Sequence, residues 1–318
     1  MITTGIERIL ISVRDMDESL AFYRDEVGMQ VVADQNLDPA KIQQLWNLSK
    51  GTKARAVFLK NEEQSTLLEL IEFKPHSGRA IREGAQIRDY GIYDIALLVK
   101  DLDKTHRDLI GKGFKFISPP IRWVPRASFV PFDSSEAILN GPNDMPIALM
   151  ELWGEGHPEV KKGNYGMIVD SAQMVEDIEE VIRFYRDILG LTLQGDHKLP
   201  RGQVDELLKL PPGTDVRIAF FNKEGFFNKE VSSGPLVECI SYSIKAKSLA
   251  AVAKPPNLGV FMIAFETDDL SGLMEKFKEE KIKVLSGPVE MESGPHGKIN
   301  TIIGEGPSKV MVEFFEKQ

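Results

Sequence analysis

The sequence predicts an α+β fold of four βαβββ modules arranged as two repeated halves, and two observations carry that prediction. The first is an internal repeat. Phe22-Tyr23-Arg24-Asp25 recurs 162 residues later as Phe184-Tyr185-Arg186-Asp187, and the same offset carries Gly28 onto Gly190, Gly51-Thr52 onto Gly213-Thr214 and Arg55 onto Arg217. A repeat of about half the chain implies two similar units rather than a solenoid. The second is periodicity, because each half divides again into a strand, a helix and further strands. With 318 residues, 42% hydrophobic and 27% charged, each half has the apolar content for a proper core.

The first module opens with Ile6 to Val13, where Ile9, Ile11 and Val13 alternate with Arg8, Leu10 and Ser12 at the period of a strand. A helix follows. Asp15 or Asp17 supplies its N-cap, Met16, Leu20, Tyr23 and Val27 recur at helical spacing, and Gly28 is a left-handed stop. Strands near Met29 to Ala33, Ala54 to Lys60 and Thr66 to Phe73 complete the module. The second module repeats the order, with a strand over Ile92 to Val99, a helix opening at Asp101 or Asp103 and a last strand over Ile147 to Leu152. Its counterpart lies 168 residues on, where Asp101-Leu102 matches Asp269-Leu270 and Ser118-Pro119-Pro120 matches Ser286-Gly287-Pro288.

The first and third modules share an insertion, residues 38–52 and 200–214, in which Ile42, Leu45, Trp46 and Leu48 match Val204, Leu207, Leu208 and Leu210. The spacing predicts a short amphipathic helix in each, either a lid over a cavity or ordinary packing. The boundaries read as a first half of residues 1–153 (modules 5–80 and 90–153), a Gly, Pro and charge-rich linker at 154–163, and a second half of 164–318 (modules 164–248 and 257–318).

A net charge of −9 and the absence of a basic stripe argue against a nucleic-acid partner. No apolar run reaches the ~18 residues a bilayer requires, and the first residues lack a signal-peptide pattern, so a cytoplasmic protein without a membrane partner is expected. The single cysteine, Cys239, suits a reducing compartment and reads as a small buried residue. The pairs Phe22-Tyr23 and Phe184-Tyr185 read as core. No P-loop, dinucleotide, zincin, redox or serine-hydrolase motif is present.

A strand, then Val13-Arg14-Asp15 or Val99-Lys100-Asp101 at the start of a helix, then Phe-Tyr-Arg-Asp followed by glycine, then a last strand with a glutamate among apolar neighbours, resembles the vicinal oxygen chelate superfamily. That superfamily includes glyoxalases, bleomycin-resistance proteins, extradiol dioxygenases and methylmalonyl-CoA epimerases. The resemblance implies that two adjacent modules curl into one half-open eight-stranded barrel with flanking helices, one barrel per half. It also implies a divalent metal in catalytic members, held by first-strand residues, usually histidines, and by last-strand glutamates.

The matching first-strand positions here are Arg8, Asp94, Asp170 and Met262, and the last-strand glutamates are Glu69, Glu151, Glu238 and Glu313. None of the five histidines falls at such a position. On this reading the first barrel gathers Arg8, Glu69, Asp94 and Glu151, with Arg55 nearby, and is metal-free because a guanidinium neutralises carboxylates and repels a cation. The second gathers Asp170, Glu238, Met262 and Glu313. Its metal set is Asp170, Glu238 and Glu313, suited to Mn, Mg or Ca ahead of Fe or Ni. Glu313, Glu238 and His296 are the expected catalytic groups, and Arg217, Met262 and Tyr242 the expected substrate contacts.

Two functions follow from the resemblance. One is a glyoxalase- or dioxygenase-like enzyme performing metal-assisted lyase, isomerase or oxygenase chemistry on a small oxygenated metabolite. The other is a metal-free protein of bleomycin-resistance type that sequesters an apolar or aromatic molecule. Homo-oligomerisation is compatible with the layout and not demanded by it.

Overall fold

The computed structural model describes residues 3–76, 78–123, 133–154, 157–223 and 234–318. Module one contains β1 (Thr3–Val13), α1 (Met16–Leu20), β2 (Gln30–Leu37), α2 (Pro39–Trp46), β3 (Lys53–Lys60) and β4 (Leu67–Lys74). Module two contains β5 (Gly91–Val99), α3 (Leu102–Gly111), β6 (Lys115–Trp123), β7 (Asp133–Asn140) and β8 (Pro146–Trp153). Module three contains β9 (Tyr165–Met174), α4 (Ile178–Ile182), β10 (Thr192–Lys198), β11 (Val216–Asn222) and β12 (Leu236–Tyr242). Module four contains β13 (Gly259–Thr267), α5 (Leu270–Glu279), β14 (Val284–Glu292), β15 (Lys298–Glu305) and β16 (Met311–Lys317).

The strands form two eight-stranded sheets, the expected α+β pair of half-barrels, but the modules are combined differently from the expectation. One sheet runs β14-β15-β16-β13-β1-β4-β3-β2 and the other β10-β11-β12-β9-β5-β8-β7-β6. Module one therefore closes with module four, and module two with module three. The halves 1–153 and 164–318 do not each form a barrel.

The joining ladders are antiparallel pairs of first strands, with Ile9 opposite Ile263 in one and Asp94 opposite Ala172 in the other. The local pattern that identifies the modules carries no instruction about which two first strands pair. The breaks between modules within each half are the crossovers. They run side by side, with Ile81 N–H donating to Leu258 O at 2.8 Å and Tyr90 N–H to Lys247 O at 2.8 Å.

Local signals are obeyed closely. Asp15 accepts hydrogen bonds from the Asp17 and Glu18 amides, and Asp177 from that of Glu179, which fixes the starts of α1 and α4. After one α-turn each helix widens into a π-turn, Ala21–Glu26 and Arg183–Ile188, spanning the repeated Phe-Tyr-Arg-Asp. Both aromatic pairs are buried, and Phe22 meets Tyr23 edge-on at 5.1 Å. Gly28 ends the first helix at φ +85° and Gly190 its counterpart at +76°, a conformation that costs a side chain dearly.

The shared insertion is a helix only in module one. There Asp38 caps α2 by accepting from the Ala40 and Lys41 amides, and Pro39 fits the first turn. In module three Pro200 stands at the position of Asp38 and offers no such cap, Gly202 takes φ +82°, and residues 200–214 run through turns.

One large apolar core draws fully buried side chains from all four modules, among them Ile9, Tyr23, Ile95, Tyr185, Ile263 and Phe314. Cys239 is buried within it. No helix among the described residues is long and apolar enough to cross a membrane.

Candidate functional site

The two barrel interiors differ in chemistry. Because module four closes on module one, Glu313 and Met262 join Arg8 and Glu69 rather than Asp170 and Glu238. Arg8 Nη1 donates to Glu69 Oε2 at 2.9 Å and to Ser293 Oγ at 2.6 Å, and its Nη2 donates to Glu313 Oε1 at 2.8 Å. Thr301 Oγ1 donates to the same Glu313 oxygen at 2.7 Å, and the guanidinium lies 4.7 Å from the centre of the Phe315 ring. Arg8, Glu69 and Glu313 are each at most 3% exposed.

The guanidinium thus occupies the place where the first-strand and last-strand positions converge. Burial, opposed by Arg8 and reinforced by Glu313, raises the Glu69 carboxyl to about 7. His296 packs against Phe315 with ring centres 5.0 Å apart. Burial and then the nearby Arg8 charge lower the His296 imidazole to about 3, so it is neutral at physiological pH and belongs to this barrel, not to a site containing Asp170.

Around this cluster the described side chains are largely apolar and buried. Met262 is fully buried, and Trp46 from α2 packs edge-on against Phe73 at 5.5 Å and Phe261 at 5.9 Å. Met262 is therefore a core residue here, not a contact in a cavity with Glu238.

The barrel of modules two and three holds a cavity instead, about 820 Å³ of empty space including its open mouth. Asp94, Glu136, Asp170 and Glu238 line it together with Tyr93 and Ser134, and the rest of the described lining is apolar. Leu199 and, from the module-three insertion, Val204, Leu207 and Leu208 form one wall. Asp94 and Asp170 sit on neighbouring strands in diagonal register, Asp94 opposite Ala172 and Ala96 opposite Asp170, so both face the interior.

Each of the two aspartates is 3% exposed, and Asp94 Oδ1 and Asp170 Oδ1 have no hydrogen-bond partner among the described residues. Burial foremost, then the neighbouring carboxylates, raises Asp94, Asp170 and Glu238 well above the ordinary carboxylate range. Glu136 was not anticipated, because β7 carries none of the repeated motifs. Its signal is a glutamate on the same strand face as Ser134 and Ile138.

Glu151 is not the module-two counterpart of the other glutamates. The parallel ladders place Glu69 opposite Leu10, Glu238 opposite Ala172 and Glu313 opposite Ala264, whereas β8 places Ala148 opposite Ala96. Three residues further along, Glu151 accepts from the Leu102 amide at 2.8 Å and helps cap α3. Glu151→Ala is expected to cost about 1 kcal/mol in a urea titration, as loss of a cap does, and to leave ligand binding unchanged.

Arg217 also departs from its expected role. Val216 and Ile218 line the cavity, so Arg217 points the other way, where it pairs with Asp196 at 2.6 Å and Glu179 at 2.8 Å. Arg55 likewise pairs with Asp34 at 2.7 Å near the surface. Tyr242 is half-buried beside the Glu238 region, its hydroxyl 2.9 Å from Met174 Sδ, and burial followed by the Glu238 charge raises its phenol.

An all-oxygen donor set of this kind matches a hard divalent ion in chemistry. It does not match in geometry. Among the described residues, no three His, Cys, Asp or Glu side chains gather closely enough to hold one ion.

The family model described as Glyoxalase/Bleomycin resistance protein/Dioxygenase superfamily matches residues 5–136 and 167–314. No curated protein sequence matches the chain. Among solved structures, glyoxalase I from Zea mays aligns over 98% of this chain and 92% of its own, with 15% identity and a TM-score of 0.65. A proposed dioxygenase from Bacillus subtilis aligns over 99% and 86%, with 13% identity and a TM-score of 0.57. At such identities the likeness is one of fold.

Proposed function

The chain belongs to the Glyoxalase/Bleomycin resistance protein/Dioxygenase superfamily, and from that premise we propose that it binds a small, largely apolar molecule in the cavity between modules two and three without a resident metal. The observation that carries this reading is the contrast between the interiors. One holds an arginine paired with two carboxylates among buried apolar and aromatic side chains; the other is an apolar-walled cavity whose described carboxyls are not arranged as a ligand set. Removal of Glu313 from the expected metal set, through its pairing with Arg8, takes away one of the three groups that favoured a metal.

A second reading is kept by a specific observation, the unpartnered Oδ1 atoms of Asp94 and Asp170. On that reading Asp94, Asp170 and Glu238 hold Mg²⁺, Mn²⁺ or Ca²⁺. Such an ion would polarise the oxygens of a small metabolite for lyase, isomerase or oxygenase chemistry.

Elemental analysis of protein purified without chelator, with a calorimetric Mn²⁺ titration, separates the two. The expected result is no stoichiometric metal and no saturable Mn²⁺ uptake. Alongside it, saturable binding of an aromatic probe should be lost in Ile218→Trp, which fills the cavity. Stoichiometric metal that disappears in the Asp94→Asn, Asp170→Asn double variant would replace the first reading with the second.

A further inference from the structure

Resting on the assignment of the module two–three cavity as the binding site, we infer that its ligand is a small apolar organic cation, a protonated amine on an aliphatic or aromatic frame, docked between Asp94 and Asp170. The polar inventory of the cavity carries the inference. Its described lining offers four carboxyls and the hydroxyls of Tyr93 and Ser134, and it contains no Lys, Arg, His, Asn or Gln. A ligand carrying a carboxylate, phosphate or sulfonate would meet the carboxyls of Asp94, Asp170 and Glu238 with no basic side chain in the described lining to pair with, and desolvating it there is costly.

Arg82, whose charge acts on Asp94, is outside the described lining and makes its hydrogen bonds to backbone. It lies 4.8 Å from the centre of the Tyr93 ring and donates to the backbone carbonyls of Gln86, Ile87, Asp89 and Ile92.

An ammonium group fits what is present. It brings three donors and a positive charge to two aspartates that lie on neighbouring strands, are almost fully buried, and each have an unpartnered oxygen lining the cavity. Charge-assisted hydrogen bonds of this kind are about twice as strong as neutral ones. The apolar walls, including Leu207, Ile218, Phe220 and Leu236, then receive the hydrocarbon part. Docking the ammonium favours the ionised aspartates, so binding opposes the upward shift that burial imposes on their carboxyls.

The test uses three probes of one shape, benzylamine, benzyl alcohol and benzoate, titrated calorimetrically into the full chain at neutral pH. It compares the wild type with Asp94→Asn, Asp170→Asn and Ile218→Trp. Benzylamine is expected to bind at least roughly tenfold more tightly than benzyl alcohol, and benzoate not at all. Either asparagine variant, nearly isosteric and expected to fold, should bring amine and alcohol to within about twofold of each other. Ile218→Trp should weaken both.

Benzyl alcohol or benzoate binding as tightly as benzylamine would overturn the ligand class and leave the cavity assignment standing. Failure of all three probes would overturn both. Mn²⁺ uptake that depends on Asp94 and Asp170 and excludes benzylamine would overturn the ligand class in favour of a metal.

Discussion

Replacing Arg8 with methionine is expected to lower the stability of the chain by about 3–5 kcal/mol, because it strands Glu69 and Glu313 in an interior from which both are almost wholly excluded from water. The two carboxylates approach the same guanidinium from the last strands of modules one and four, so the arginine also ties the barrel closed across its seam. Urea unfolding followed by far-UV circular dichroism measures the loss. A triple variant, Arg8→Met with Glu69→Gln and Glu313→Gln, should recover most of it, since no buried charge is then left without a partner. A loss below about 1 kcal/mol in the single variant would mean that water or a shifted side chain compensates the carboxylates.

Asp170→Leu is expected to have the opposite effect on stability and to abolish ligand binding. The unpartnered, buried carboxyl is replaced by an apolar side chain of similar size, and relief of an unsatisfied polar group is worth about 1–3 kcal/mol. The effect depends on pH with a definite sign. The folded-state value of Asp170 is raised by burial and then by Glu136, above the ordinary 3.8. Below that ordinary value the group is protonated in both states and contributes no pH-dependent difference. As the pH rises past it, the unfolded chain ionises first and the folded state loses relative stability until the folded value is passed. The gain from the leucine should therefore be larger at pH 8 than at pH 4. Urea midpoints of wild type and variant at the two pH values measure this; an equal gain at both would contradict the raised value.

The two substitutions together describe how one scaffold has treated its interiors differently. Arg8 and Asp94 occupy equivalent positions on β1 and β5, each facing a barrel interior, yet one supplies the positive charge and the other is left needing it.

The modules were legible in the sequence because their signals are local. Capping aspartates, left-handed glycines and period-2 strands each act within a few residues, and the aromatic pairs took the core positions their spacing implied. Pairing of modules was not legible. Ile9 against Ile263 and Ile95 against Ser171 are choices among four first strands, made by long-range packing that no short pattern records.

The candidate site inherited that error. Glu313 was grouped with Asp170 on the assumption that neighbours in sequence share a barrel, and it is bound to Arg8 instead. Glu151 was selected by residue type, whereas the ladder register selects Ala148. Glu136 carries no recurrent signal, because its strand lacks the repeated motif. Asp94 and Asp170 are legible as first-strand positions and Glu238 as a last-strand glutamate, and only the exchange of modules places them in one cavity.

On the proposed function, the barrel of modules two and three receives the ligand and that of modules one and four, built around the Arg8 ion pairs, does not. Methionines distinguish the two directly, since Met150 and Met174 line the cavity and Met262 is buried in the other barrel. Methyl spectra of protein labelled with ¹³C-methyl methionine, recorded during a benzylamine titration, should show the Met150 and Met174 signals moving together and saturating while Met262 stays in place. Movement of Met262 with Met150 and Met174 unchanged would contradict the account.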